Sequence, residues 1–415
     1  MVAGKGLAIA LAAIALNATA QAGDLSARLR LSVDNGHADS GGLYGVPDAV
    51  LPAPAAGSEQ NLEIDWRHQG VNATATLRNR AARGDQPEQE AFFNELYVDT
   101  RVGGQDISLG RKITSWGVGF GFRPLDVVQQ ENRRALYTNT LRGVDQARLE
   151  WFGMTAAVSL VWSNPGKGRE NAPEREESLA LKVFDSGERG DLHAVARYSD
   201  RSGAQLGLGL SQVVGESLEW HASALWQEKF SQRVNRLTLT GDASSSSPPL
   251  SAENPFIEQP GHGALKALAG ASWTHASGWG LLGEVWYDET AYTNAQWQAL
   301  NRLTRRQRAL LASGQAPASA AFGNIAWNRQ AFLANNLRQW NALLRVSRQN
   351  GAFDPALEIL YTPEDRGWVA TASGVYKLDR QRIEAGLRYF GGDSDSSWAL
   401  LPGQWQAFIS WEGAF

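Results

Sequence analysis

The feature that most constrains the fold of this chain is a repeated alternation of apolar and polar residues, in segments of about ten residues. In LSARLRLSVDN, residues 25–35, every second residue from Leu25 to Val33 is apolar, and the residues between them are serine or arginine. Successive side chains of a β-strand point to opposite faces, so each segment predicts a strand with one apolar and one polar face. Such segments recur from residue 24 to the end of the chain, each followed by turn-forming residues.

The composition of the apolar faces indicates what they contact. Many are rich in alanine and carry tryptophan or tyrosine near one end, which suits a wall facing lipid better than a soluble β-sandwich packed with bulky aliphatic side chains. The sequence therefore predicts an all-β fold, a transmembrane antiparallel β-barrel of about eighteen strands, with sixteen as the alternative count. An even number places both ends of the barrel on the periplasmic side, with short periplasmic turns and long extracellular loops.

The first residues have the features of a signal peptide. They contain one positive charge, an apolar core over residues 7–16 and small residues before position 23. We therefore predict a signal peptide over residues 1–22 and a single barrel over residues 23–415. The chain contains no cysteine, which excludes disulfides and thiolate metal sites. Its formal net charge of −4 is too small to indicate a nucleic-acid partner.

The last segment, QWQAFISWEGAF, alternates and ends on Phe415. It resembles the carboxy-terminal strand of Gram-negative outer-membrane β-barrels, which ends in an aromatic residue that the barrel-assembly machinery reads. The stretch LGRKITSWGVGFGFRPLDVV, residues 109–128, is similar to an arrangement found in porin-like and alginate-export-like barrels. This resemblance implies the outer membrane of a Gram-negative bacterium, Phe415 as the assembly signal, and outer-membrane lipid and lipopolysaccharide as surroundings.

The stretch SWGVGFGFRP, residues 115–124, raises the question of a phosphate-binding loop because glycine occupies positions 117, 119 and 121. A dinucleotide site needs Gly-x-Gly-x-x-Gly between a buried strand and a helix. Here the spacing is Gly-x-Gly-x-Gly, and a proline follows. Glycine at every second position instead predicts an extended segment with one bare face that approaches another surface closely.

Residues 115–142 are charged and do not alternate, although they lie between two good strands. We predict that they fold inward and narrow the pore; the alternatives are a bulge that resets the strand, or an extracellular loop whose arginines pair with Asp126 and Glu131. The predicted constriction residues are Trp116, Phe120, Arg123, Asp126, Arg133 and Arg134.

The strand register also predicts the charge of the lumen. Fourteen basic side chains are expected to face inward: Arg28, Arg30, Arg67, Arg78, Arg80, Arg101, Lys112, Arg148, Lys182, Arg197, Arg345, Lys377, Arg382 and Arg388. Nine acidic side chains share that face: Glu63, Asp65, Glu95, Asp99, Glu150, Glu219, Glu284, Glu384 and Glu412. A mildly positive lumen favours anionic solutes. The alternative is that these residues form cross-strand ion pairs, such as Arg67 with Glu63, and select nothing.

Two long outer loops are expected. Residues 229–262 contain SSSSPPL, a composition that resists packing. Residues 289–335 contain an amphipathic helical pattern, with apolar residues such as Trp297 and Leu303 on one face and four arginines on the other. This helix is expected to pack on the rim as a lid, to cap the pore, or to bind lipopolysaccharide phosphates.

No pattern in the chain indicates catalysis. The six histidines are scattered without the spacing of a zinc site, and no Gly-x-Ser-x-Gly motif occurs. We therefore expect no enzyme, no catalytic residue, no metal site and no cofactor. Two functions remain: an outer-membrane channel that passes small or polymeric anionic solutes, and a non-transporting barrel that acts as a scaffold, an adhesin or a partner of another envelope protein.

Overall fold

A computed structural model describes residues 24–51, 56–82, 86–131, 133, 141–166, 175–188, 190–239 and 249–415. The predicted signal peptide and Arg134 lie outside these residues. Eighteen antiparallel strands form one sheet, which confirms the predicted fold class. The strands, β1 to β18 in chain order, are Asp24–Ala38, Ala56–His68, Val71–Ala82, Glu88–Val102, Gln105–Lys112, Val144–Phe152, Ala156–Ser163, Ser178–Gly187, Gly190–Ser199, Gly203–Val214, Leu218–Asn235, Phe256–Thr274, Trp279–Asp288, Trp340–Arg348, Phe353–Thr362, Gly367–Lys377, Gln381–Gly391 and Gly403–Ala414.

The sheet closes on itself because β1 pairs with both β2 and β18. In this register Leu29 lies opposite Leu62 of β2 and Gly413 of β18. Ala27 and Phe415 exchange backbone hydrogen bonds of 3.2 and 2.8 Å, so the barrel begins and ends at the same rim. Closure leaves no unpaired edge strand.

The two rims differ in their connections. We call one the turn end, because its connections are short. Positive φ angles at Gln69 and Gly70, of 47° and 83°, and at Gly103 and Gly104, of 59° and 87°, fit two-residue turns whose twist matches that of the strands. The opposite rim, which carries the long connections, is called the loop end.

The alternation predicted from the sequence separates the two faces of the wall. On β10, Leu206, Leu208 and Leu210 are 56, 60 and 45% exposed on the outer face, whereas Gly207 and Gly209 face inward and are buried. Exposed tryptophans form a belt near each rim, as expected where an apolar surface meets water. The belts include Trp220, Trp273 and Trp279 near the turn end, and Trp162, Trp226, Trp340 and Trp368 near the loop end.

A bulge in β4 departs from simple alternation. The register with β3 shifts between Thr74 and Ala75. Two consecutive residues, Asn94 and Glu95, therefore face inward, between the outward-facing Phe93 and Leu96. The buried Asn94 amide then donates to the Leu141 carbonyl at 2.7 Å, where the chain returns to the wall before β6.

Two helices occupy the connection between β13 and β14; the pattern in residues 289–335 predicted the first of them and not the second. They are α1, Asn294–Ala312, and α2, Ala318–Asn328. Thr293 begins α1 with a capping box, in which its hydroxyl accepts from Gln296 N and the Gln296 side chain accepts from Thr293 N. Within the described residues, no helix combines the length and apolar content needed to cross a membrane.

One predicted loop is corrected by the structure. Residues 229–262 are not all loop, because β11 continues to Asn235 and β12 begins at Phe256, so the pair extends beyond the wall as a long hairpin. Alternation continues in these flanks, where Val234 and Phe256 are buried beneath the helices. The polar SSSSPPL stretch obscured this signal.

Candidate functional site

A part of the chain runs through the inside of the barrel. After β5 ends at Lys112, residues 113–131 and 133, which we call the inner segment, pack against the inner faces of strands on the far side of the sheet. Leu125 is fully buried against β10, where an added Cβ on Gly207 would lie 2.6 Å from its side chain. Phe122 stacks on Trp286 of β13 with ring centroids 6.1 Å apart. The lumen is therefore divided by protein.

Asp126 shapes the inner segment from within. Its buried carboxylate accepts hydrogen bonds from the backbone N–H groups of Trp116 and Gly117, the second at 2.7 Å, and from the Ser115 hydroxyl at 3.2 Å. Burial raises the pKa of this carboxyl, although the two backbone donors and Arg123 act in the opposite direction. Asp126 thus holds together the two ends of the glycine stretch.

Glu284 of β13 attaches the inner segment to the wall. Its side chain is fully buried, and its two oxygens accept from Phe120 N and Gly121 N, each at 2.6 Å. His221 of β11 lies behind it, with Nε2 2.8 Å from Glu284 Oε1. The backbone donors of the glycine stretch therefore bind carboxylates of the chain itself.

The glycines have the bare face that the sequence predicts. An added Cβ on Gly119 would lie 2.0 Å from the Phe122 carbonyl of the segment itself and 3.0 Å from Leu268 of β12, and one on Gly121 would lie 3.1 Å from Trp286 and from Leu343. Side chains at these positions would separate the segment from the wall. The spacing thus serves close packing.

The predicted constriction residues do not all share one environment. Trp116 is buried among apolar residues, including Val128 and Leu225, and does not face the open lumen. Phe120 is 40% exposed, with the guanidinium carbons of Arg133 and Arg345 5.5 and 5.4 Å from its ring centroid.

The arginines of the segment are paired with its acids. Arg123 donates to the Gly119 carbonyl and lies 3.8 Å from Glu131, and Arg133 pairs with Glu131 at 2.6 Å. The pairing proposed for an extracellular loop therefore occurs within an inward-packed segment.

A cavity of about 770 Å³ lies between the inner segment and the inner faces of β14 to β18. It brings Phe120, Arg123, Asp126 and Arg133 together with residues of the opposite wall. Its basic lining residues are Arg123, Arg133, Arg345, Arg348, Lys377, Arg382 and Arg388. Its acidic lining residues are Asp126, Glu131, Asp354, Glu358 and Glu384. Seven cations against five carboxylates give the cavity a formal charge of +2.

Most of the basic residues expected in the lumen lie beside acids. Ten of the fourteen form ion pairs: Arg28, Arg30, Arg78, Arg101, Lys112, Arg148, Arg197, Arg345, Lys377 and Arg382. Arg388 donates to Thr371 Oγ1 at 3.0 Å. For Arg67 and Arg80, no ion pair occurs among the described residues. The expected Arg67–Glu63 pair is replaced by Arg28–Glu63 at 3.2 Å.

The position of Arg101 also differs from a lumen site. Its side chain is 68% exposed beside the Gly103–Gly104 turn, where it pairs with Asp106 at 2.8 Å. This ion pair stabilises the hairpin at the turn end and leaves Arg101 outside the middle of the lumen.

The helices form a cap over part of the loop end. Trp297 and Leu303 of α1 share an apolar cluster with Tyr44, from the β1–β2 connection, and Trp398, from the β17–β18 connection. The Arg308 guanidinium donates to the backbone carbonyls of residues 42, 43 and 45, and burial lowers its pKa.

The cap is also tied to the long hairpin, where Asn235 donates to Asn328 at 2.7 Å and Gln296 donates to Gln232 at 2.6 Å. Leu337, Trp398 and Leu401 line the upper part of the cavity. The cap therefore roofs the cavity that the inner segment bounds on one side.

The sequence did not single out the Glu284–His221 pair. Alternation placed Glu284 on the inner face and left His221 as one of several scattered histidines, and the two are 63 residues apart. No local motif links them, because they meet only after β11, β12 and β13 pair. Among the described residues, no group of three or more histidine or acidic side chains is arranged to hold a metal ion.

No known protein family's sequence model matches the chain, and no curated protein matches it. Among solved structures it is similar to OccAB1 of Acinetobacter baumannii, with 9% identity over 94% of this chain and 96% of the other, and a TM-score of 0.53. It is similar to OccK11 (OpdR) of Pseudomonas aeruginosa, with 10% identity, 94% and 96% coverage, and a TM-score of 0.54. It is also similar to OccK8 (OprE) of the same organism, with 10% identity, coverage of 94% of this chain and 97% of the other, and a TM-score of 0.52. These similarities confirm the predicted fold, a closed antiparallel β-barrel.

Proposed function

We propose that this chain is a channel of the Gram-negative outer membrane that passes small polar solutes, with a preference for anions. The observation that carries the proposal is the cavity of about 770 Å³, which runs between the inner segment and a wall rich in charged side chains. Its volume is in the range of sites for single small molecules, which favours small solutes over polymers. The lining residues extend from Trp398 under the cap to Lys377 and Arg382 near the turn end.

The anion preference rests on the excess of two basic residues in the cavity and on their position. Arg133 and Arg345 approach Phe120 from the segment and from the wall, so each of them places a cation beside this ring. Like-signed charges in a confined, low-dielectric space raise the local concentration of the opposite ion. Because most of these cations have acidic neighbours, we expect a modest anion-to-cation permeability ratio, of roughly three.

The inner segment, which overlaps the predicted constriction of residues 115–142, acts as the constriction in this proposal. It occupies the lumen where a wide barrel would otherwise be an open aqueous channel. Phe120, Arg123 and Arg133 present their side chains to the solute, whereas Trp116 and Asp126 hold the segment in place.

The test is single-channel recording in planar bilayers under a salt gradient. Discrete ohmic steps with a reversal potential of the sign expected for anions support the channel. Steps with a cation-selective reversal potential contradict the anion preference while leaving the channel. A folded protein that inserts into the bilayer without conducting contradicts both.

Silence in that assay would favour the second function, a non-transporting barrel that serves as a scaffold, adhesin or partner of another envelope protein. Two observations favour this alternative. The cap roofs the cavity, and most of the basic residues expected in the lumen are paired with acids. Under either function we propose that Phe415 is the assembly signal, and that exposed Arg302 and Arg306 of α1 contact lipopolysaccharide phosphates.

A further inference from the structure

We propose that Glu284 is the residue that sets the position of the constriction, by tethering the tip of the inner segment, residues 118–122, to β13. This inference rests on the proposed channel, because the tethered segment is the proposed constriction. Glu284 lies in the wall strand β13, whereas Phe120 and Gly121 lie 164 and 163 residues earlier in the chain. The tether therefore joins two distant parts of the chain.

The tether uses both oxygens of one carboxylate. Oε1 accepts from Phe120 N and contacts His221 Nε2, and Oε2 accepts from Gly121 N. A carboxylate is an acceptor at both oxygens, whereas an amide has one acceptor and one donor. A Gln at position 284 therefore keeps the size of Glu but directs an NH₂ group at a backbone N–H.

The surrounding contacts do not duplicate this tether. Apart from it, the described tip contacts the wall through the apolar packing of Phe122 and of the glycines on the cluster of Leu268, Trp286 and Leu343, and through Phe120 beside Arg345. Leu125 and Asp126 fix the base of the segment instead, against β10 and against its own backbone. Loss of Glu284 should therefore free the tip while the base stays in place.

The experiment compares E284Q with E219Q in the full chain. Glu219 is the matched control, because its carboxylate lies 3.9 Å from the other nitrogen of His221 and makes no contact with the inner segment. The natural chain has no cysteine, so a nitroxide on V118C reports the mobility of the tip by spin resonance, whether or not ions pass. Heat-modifiable gel mobility confirms that each barrel is folded.

We expect the mobile population of the label to rise about tenfold in E284Q and to stay unchanged in E219Q. In bilayers, E284Q should show larger and noisier conductance steps than the parent protein. Unchanged label mobility in E284Q, or an equal rise in E219Q, overturns the tether. A silent parent channel with a mobile E284Q tip contradicts the channel and leaves the tether standing.

A second substitution keeps the test open should E284Q fail to fold. E284D keeps the charge and both acceptor oxygens but shortens the reach, so the V118C label should again be more mobile than in E219Q. Unchanged label mobility in a folded E284D, with E284Q unfolded, overturns the tether.

Discussion

The two carboxylates that hold the inner segment should respond differently to the same amide substitution. In Asp126, a single oxygen, Oδ1, accepts from both Trp116 N and Gly117 N. The other oxygen accepts only from the Ser115 hydroxyl, at 3.2 Å, and lies 4.0 Å from Arg123. An Asn at position 126 can keep its oxygen in the first position, and its NH₂ group can donate to the hydroxyl.

The magnitudes follow from these contacts. D126N removes the negative charge that strengthens two hydrogen bonds and a long ion pair, but it also removes the cost of burying that charge. We therefore expect the free energy that holds the segment closed to fall by about 1 kcal/mol. D126A leaves two backbone N–H groups without their acceptor, one of them on a buried residue, and we expect a loss of about 3 kcal/mol. These values correspond to roughly fivefold and hundredfold increases in local opening.

Hydrogen exchange measured by mass spectrometry reads this opening directly, on peptides that contain Trp116 and Gly117. The matched control is E412Q, which removes a lumen carboxylate that pairs with Arg30 and does not touch the inner segment. Equal exchange in D126N and D126A would refute the argument from single-oxygen geometry. Protection that survives in D126A would show that Asp126 does not hold the segment together.

Three further substitutions test other parts of the structure. R345Q removes one cation beside Phe120 and the basic partner of Glu358, so the anion-to-cation permeability ratio should fall about twofold. R382Q, near the turn end, should lower this ratio less. G209V places a branched side chain against Leu125, where an added Cβ already lies 2.7 Å away, so label mobility on V118C should rise; G283A, with nothing within 4 Å, should not change it. R308A leaves three backbone carbonyls of the β1–β2 connection without this donor, so protease cleavage of the cap should be roughly tenfold faster while the strands stay protected. The control is R306A, because the Arg306 side chain is exposed.

The strands could be predicted because a wall between lipid and water imposes period two on each of them. This signal is local, and it predicted about eighteen strands, the number found among the described residues. The helix after Thr293 was predicted from a different local signal, the helical spacing of its apolar residues. It failed at the ends of β11 and β12, where the chain leaves the wall and Val234 is buried under a cap instead of facing lipid. Strand ends depend on what lies above the wall, which a single segment does not encode.

The site was less predictable, because its contacts join distant parts of the chain. The sequence indicated that residues 115–142 depart from the wall and that glycine leaves one face bare. It did not indicate which surface that face would meet. Glu284, His221 and Leu268 approach the segment only because the sheet curves until β5 and β13 face each other across the lumen. The ion pairs likewise depend on the stagger between neighbouring strands, as the Arg28–Glu63 pair shows.

The cap has a mechanical consequence for the cylinder. Arg308 donates hydrogen bonds to the connection after β1, and Asn328 accepts a hydrogen bond from the hairpin of β11 and β12. These two attachment points lie on nearly opposite sides of the barrel. A cap attached at two opposite points of the rim resists the flattening of the circular cross-section into an ellipse. Thermal breathing should therefore be damped at the braced rim and larger at the other, so that the two mouths of one barrel differ in stiffness.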